Sequence, residues 1–115
     1  MTDQNDLIER WVEALRSGDY QQGIRFLRNT NDNYCCLGVL CDLVDPKGWG
    51  PPREEWVGHT GSASTPSPEV GGVLEEAIEG SGWETEDLCY QLMKANDKLF
   101  WDFDKIADFL EKELL

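Results

Sequence analysis

The sequence predicts a mainly helical α+β domain, with four to five short helices, a small β-hairpin around residues 20–36 and a long loop over 46–67. Three observations carry this reading. Apolar residues recur at helical spacing in several separate segments. An Asn-rich turn, Asn29-Thr30-Asn31-Asp32-Asn33, sits between two short runs able to pair. From Pro46 to Pro68 the chain is rich in Gly, Pro, Ser and Thr and shows no periodicity. A length of 115 residues fits one globular domain spanning 1–115, large enough to bury roughly two-thirds of the surface its unfolded chain exposes. Five Trp in so short a chain argue against wholesale disorder.

The first helix is expected from near Asp6 to Ser17, because Leu7, Ile8, Trp11, Val12 and Leu15 share one face. Asp3 or Asn5 is the candidate cap, and Gly18 stands where a left-handed residue stops a helix. Ile24–Leu27 and Tyr34–Cys36 are the candidate hairpin flanks, although Ile24 to Arg28 also suits a helical turn. Leu37, Leu40, Cys41 and Val44 form one apolar face of a short buried helix, which Asp45-Pro46 ends. In the 46–67 loop, Trp49 and Trp56 pin the first half, while Gly61–Pro68 reads as loose and His59 as solvated.

Ser67-Pro68-Glu69 is a helix start, with a cap, proline at the first position and an acid in the first turn. Gly71-Gly72 weakens the beginning of this helix, so its firm part is read as Val73 to Glu79. Thr85 is the expected cap of a helix over Glu86 to Ala95, with Leu88, Cys89, Leu92 and Met93 facing inward. Asp102 caps the last helix, where Phe103, Ile106, Ala107, Leu110 and Leu114 make a continuous stripe.

Charge is the least ordinary property. Ten Lys+Arg against 23 Asp+Glu give −13. Residues 1–34 contribute −2, residues 35–68 another −2, and residues 69–115, with 13 acids and four bases, −9. A field of that sign repels nucleic-acid backbones and anionic membranes and attracts basic surfaces. Direct nucleic-acid binding and membrane association are therefore not expected; a protein with a basic surface is. Met1 to Asp6 hold neither a basic nor an apolar stretch, so the expectation is a protein of a reducing cytoplasm with free thiols.

The segment Tyr34-Cys35-Cys36-Leu37-Gly38-Val39-Leu40-Cys41-Asp42-Leu43 holds three of the four cysteines. With Cys89, and His59 in reserve, it supplies enough ligands for zinc. Its C-C-x4-C spacing, however, is not that of a knuckle that converges two ligands from one tight turn. A cysteine nucleophile needs an activating base, and no feature ties the single His to Cys36 or Cys41. The thiols read instead as small apolar packing atoms at the turn from a short strand into a buried helix. The acid pairs Glu54-Glu55, Glu75-Glu76 and Glu86-Asp87 read as solvated faces. No catalytic, metal or cofactor-binding residue is assigned on these grounds.

There remains a surface. The −9 segment also carries Trp83, Tyr90, Phe100, Trp101 and Phe109, and aromatic anchors within an acidic rim suit a basic partner. Glu75, Glu76, Glu79, Asp104, Asp108 and Glu111 are the expected contributors, with Trp101 as anchor.

The pattern Leu15-Arg16-Ser17-Gly18-x-Tyr20-x-Gln22, then Leu27, then Tyr34 to Leu43, resembles a group of small proteins encoded by bacteriophages and prophages. Pro68-Glu69-Val70, Asn96-Asp97 and Phe103-x-x-Ile106-Ala107-Asp108 are similar to that group's C-terminal half. Ala95 stands where the group tends to have Leu, and Asp102 where it tends to have Ser; both substitutions keep the local physics. The resemblance implies a phage gene product acting in a bacterial cytoplasm. The expected function is a non-enzymatic accessory protein that binds and inhibits a host protein of the nucleic-acid-handling or antiviral-defence machinery, by nucleic-acid mimicry. Two alternatives stand beside it. One is a thiol-based role, as a zinc-stabilised domain or a cysteine enzyme; the other is a small-nucleotide site near Arg16, Arg25 and Arg28.

Overall fold

A short, almost wholly apolar helix is packed against three of the other four helices, and the fourth packs chiefly on the first helix of the chain. The computed structural model describes residues 3–115, with side chains from residue 6 onward. The element order is α1 (Asp3–Arg16), β1 (Gln21–Gln22), β2 (Asn33–Tyr34), α2 (Cys36–Val44), β3 (Trp49–Pro52), β4 (Val57–His59), α3 (Pro68–Ala77), α4 (Thr85–Asp97) and α5 (Phe103–Leu114). The mainly helical α+β class read from the sequence is the one observed.

Helix α2 buries Cys36 through Cys41 without interruption and packs against α1, α3 and α4. Cys35 caps it, its Sγ accepting from Gly38 N at 3.4 Å. The segment around Leu27 passes directly over its first turn, and Cys35 N donates to Leu27 O at 3.2 Å. A Cβ on Gly38 would lie 1.8 Å from that same carbonyl oxygen, so no other residue fits there. The cysteine block is thus a turn from strand into core helix, with buried thiols as packing atoms.

Helix α1 buries the stripe Leu7, Ile8, Trp11, Val12 and Leu15, and the Trp11 indole donates to Cys36 O at 2.9 Å. It starts earlier than the sequence indicates, so Asn5 falls inside it; the side chains of Asp3 and Asn5 lie outside the described residues. Gly18 takes the left-handed conformation expected of a helix stop, with φ of 81°. Helix α5 carries the strongest stripe, with Phe103, Ile106, Ala107 and Leu110 buried, and packs chiefly on α1. Its Asp102 cap accepts from Lys105 N at 2.8 Å.

Several local expectations are corrected. The hairpin is realised only as a tight bend, with Asn29 N donating to Asn33 O and an antiparallel bridge between Arg28 and Tyr34. The regular strand pair beside it is parallel, Gln21 opposite Asn33 and Gln22 opposite Tyr34. Segment 24–27 is neither flank nor helix, because Arg25 sits at φ of 77° and breaks both patterns.

The 46–67 loop is a folded ribbon. β3 and β4 pair antiparallel, with Trp49 opposite His59 and an irregularity before Pro52, as expected where prolines remove ladder donors. Its second half is tied down as well, since Leu27 N donates to Ala63 O at 2.8 Å. His59 is fully buried rather than solvated.

Helix α3 runs straight through Gly71-Gly72 from Pro68, the Ser67 cap and the burial of Val70 and Leu74 offsetting the glycine cost. Thr85 is the first residue of α4 rather than its cap. Glu84 occupies the cap position without a side-chain hydrogen bond, so its charge near the helix N-terminus is the feature that favours it there.

Candidate interaction surface

Every acid from Glu69 to Glu113 except Asp97 is exposed. Their positions are set by the helix stripes. Where Val70, Leu74 and Ile78 turn inward, Glu75, Glu76 and Glu79 are forced outward; where Phe103, Ile106 and Leu110 turn inward, so are Asp104, Asp108 and Glu111. Helices α3 and α5 each pack on α1, and each carries its own patch of exposed acids.

The two patches differ. Arg16, reaching across from the end of α1, pairs with Asp108 and with Glu111, the latter at 3.3 Å. Hydrogen bonds to Glu111 and Asp108 raise the guanidinium's pKa, so the like-charge row of α5 is partly neutralised by α1. Among the described residues, Glu75, Glu76, Glu79 and Asp104 have no ion pair.

Trp101 is half-buried, not projecting. Phe109 lies between Trp83 and Trp101, with ring centroids 5.9 and 6.0 Å away, and Lys105 caps the Trp101 face at 4.7 Å. The aromatics presented to solvent are Phe100, 73% exposed, and Tyr90, 64% exposed. Phe100 is also held at φ of 54°, a left-handed conformation costing a non-glycine residue roughly 1–2 kcal/mol. The Trp101 N to Ala95 O hydrogen bond closes the chain around it. The exposed aromatic at this corner is therefore Phe100. Its neighbour in sequence occupies the packed position, which periodicity alone does not separate because both come after the end of α4.

The thiols are poor nucleophiles. Burial pushes Cys35 up to about 12 and Cys89 up to about 11, and raises Cys36 and Cys41 as well. A thiolate is the form that attacks or ligates, and these sites oppose it. Among the described residues no group of three His, Cys, Asp or Glu is placed to hold a metal ion. The arginines suggested for a nucleotide do not converge freely: Arg16 is held by α5, and Arg28 pairs with Asp32 at 2.7 Å while covering Tyr34 and Trp49.

A polar cluster that motif spacing does not reveal surrounds Asp42. Its carboxylate accepts from Tyr20 OH at 2.6 Å and from Trp49 Nε1 at 2.9 Å. Burial and this hydrogen bond raise the Tyr20 pKa, keeping it a neutral donor. Trp49 in turn meets His59 edge-to-face at 4.9 Å. His59 Nε2 donates to Asp45 O, an acceptor only, at 2.7 Å, while Nδ1 is buried and has no hydrogen-bond partner among the described residues. The cluster fastens the ribbon to α2. The signal in the sequence was the acid at the end of an otherwise apolar helix.

The profile of a family described as a domain of unknown function, DUF8296, matches residues 3–65, more than half of the chain. The chain belongs to the DUF8296 family. The DUF8296 segment covers α1 through β4, and so contains the cysteine block, the Asp42 cluster and the ribbon, while the acidic helices α3, α4 and α5 come after it. No curated protein and no solved structure matches the chain. Among the described residues no helix is long and apolar enough to cross a membrane.

Proposed function

We propose that this chain is a non-enzymatic, acidic phage accessory protein that docks on a basic surface of a bacterial host protein and blocks it. The observation that carries the reading is the near-complete exposure of the acids from Glu69 to Glu113 on and around α3, α4 and α5. Unpaired carboxylates at a surface raise the rate of encounter with a basic partner and steer its orientation. Phe100 and Tyr90, exposed among them, supply apolar contact. A cleft that normally holds nucleic acid is the kind of surface such a field competes for, and the resemblance to phage-encoded proteins supports a host target in the bacterial cytoplasm.

The test is capture from bacterial lysate on immobilised protein, elution along a salt gradient and mass-spectrometric identification of the eluted proteins. The reading expects one or a few basic, nucleic-acid-handling proteins released by moderate salt, because exposed charge pairs are screened within about 10 Å at 0.1 M. Capture of nothing, or of a partner indifferent to salt, removes it.

A further inference from the structure

Helices α3 and α4 each carry a second stripe beside the one that faces the core. On α3, Pro68, Gly71, Gly72 and Glu75 stand at i, i+3, i+4 and i+7; on α4, Glu86, Cys89, Tyr90 and Met93 have the same spacing. The two stripes line one open groove of about 710 Å³, to which Thr65 and Pro66 also contribute. The core-facing sides of the same helices are Val70 and Leu74 on α3, and Leu88 and Leu92 on α4. Cys89 and Met93 join the two sides: Cys89 lies in the core cluster and Met93 packs against it, while both line the groove.

Three features fit the groove to an occupant. A Cβ added at Gly71 or Gly72 would meet nothing within 4 Å, so these glycines serve no internal close approach although they weaken the helix that carries them. Their absent side chains leave one wall flat enough for a second backbone to come near. The opposite wall presents Met93 and Tyr90, an adaptable and an aromatic side chain suited to an apolar ligand. Thr85 Oγ1, buried where Thr85 lines the groove, has no hydrogen-bond partner among the described residues.

Charge sets the class of occupant. Glu75 and Glu86 line the groove, with Glu76 and Asp87 exposed beside them, while Lys94 and Lys98 stand toward the far end of α4. We infer that the α3–α4 groove receives an amphipathic helix of a partner protein, its apolar face against Gly71, Gly72 and Met93 and its basic residues toward Glu75 and Glu86. This rests on the acidic-surface reading and locates it, placing the principal contact on α3 and α4 rather than on the Arg16-neutralised face of α5. Helix-in-groove recognition uses anchors at the spacing these stripes present.

The probe is a synthetic Leu/Lys peptide with helical periodicity, about 14 residues long, or roughly 20 Å as a helix. A Leu/Glu peptide of the same pattern is the control. The inference expects the Leu/Lys peptide to shift the amide resonances of Gly71, Gly72, Thr85 and Met93. It expects Gly72→Leu, which fills the groove with a better helix former, to weaken binding about tenfold or more without lowering the thermal midpoint. Glu75→Lys with Glu86→Lys should weaken it comparably.

Binding that maps to α5 and survives Gly72→Leu overturns the groove while leaving the acidic-surface reading intact. Equal binding of both peptides in the groove overturns the assignment of a basic partner. No binding of the Leu/Lys peptide overturns the inference outright, and salt-reversible capture from lysate then decides the broader reading separately.

Discussion

The DUF8296 segment and the helices after it solve opposite problems. In residues 6–65, several side chains with chemistry are turned inward and held by other groups of the protein. Asp42 is held by Tyr20 and Trp49, the Trp11 indole by Cys36 O, and three of the four buried thiols come from one short stretch. In α3, α4 and α5 the charges are turned outward and mostly unpaired, and a flat double-glycine wall opens onto solvent. Satisfied polar networks fix geometry, whereas exposed like charge costs some stability and favours association with an opposite surface. The first region is fastened internally; in the proposed function the second presents the fold to a partner.

The contrast is broken most severely at Gly38. Any side chain there collides with the Leu27 carbonyl, so Gly38→Ala should abolish cooperative folding or cost on the order of 4 kcal/mol, read by thermal denaturation with circular dichroism detection. An equally stable variant would mean that the segment crossing over α2 is not as tight as described.

Alkaline pH acts next, on the buried thiols of the cysteine block and of α4 alike. Burial holds Cys35 near 12 and Cys89 near 11, above the 9.0 of a free thiol. The folded state thus keeps protons that the unfolded chain releases, and stability falls as pH rises. It should be complete below about 9 and lost progressively toward 11–12, by a few kcal/mol in all. Denaturant midpoints across that range check this, with thiolate absorbance appearing only on unfolding. Thiolate absorbance near pH 9 in the folded protein would contradict the burial.

Asp42→Ala leaves Tyr20 and Trp49 without their acceptor and should cost about 1–3 kcal/mol. The effect should concentrate in the β3–β4 ribbon, read as faster amide exchange at Val57 and His59. The smallest effect has the opposite sign. Gly72→Ala has open space around it and should stabilise by about 0.5–1 kcal/mol, showing that the groove wall was not shaped for stability.

Legibility divides along the same line. Helix stripes, the Ser67 and Asp102 caps and the Gly18 stop are local features, and local periodicity and capping chemistry expose them. The cysteine block was readable as core because its spacing suits no metal knuckle. The ribbon was hidden because its pairing is irregular and proline-rich and depends on contacts with Arg28 and Leu27, remote in sequence. The parallel β1–β2 pair was hidden because two-residue strands carry no alternation. In the candidate site, the outward acids of α3 and α5 could be inferred from the inward stripes. Phe100 in place of Trp101 could not, since a left-handed residue after α4 reverses which neighbour points out. Nor could the groove, which exists only once α3 and α4 lie side by side.

The claim that the acidic helices are the binding face is tested most directly by one affinity measurement. The host protein identified by capture is titrated, at low and high salt, against the wild-type chain and a variant carrying Glu75→Gln, Glu76→Gln, Glu79→Gln and Asp104→Asn. Exposed side chains of this kind contribute little to folding, so the variant should remain folded. It should bind the partner at least about tenfold more weakly at low salt, with a flatter salt dependence. Unchanged affinity and an unchanged salt dependence would contradict the account.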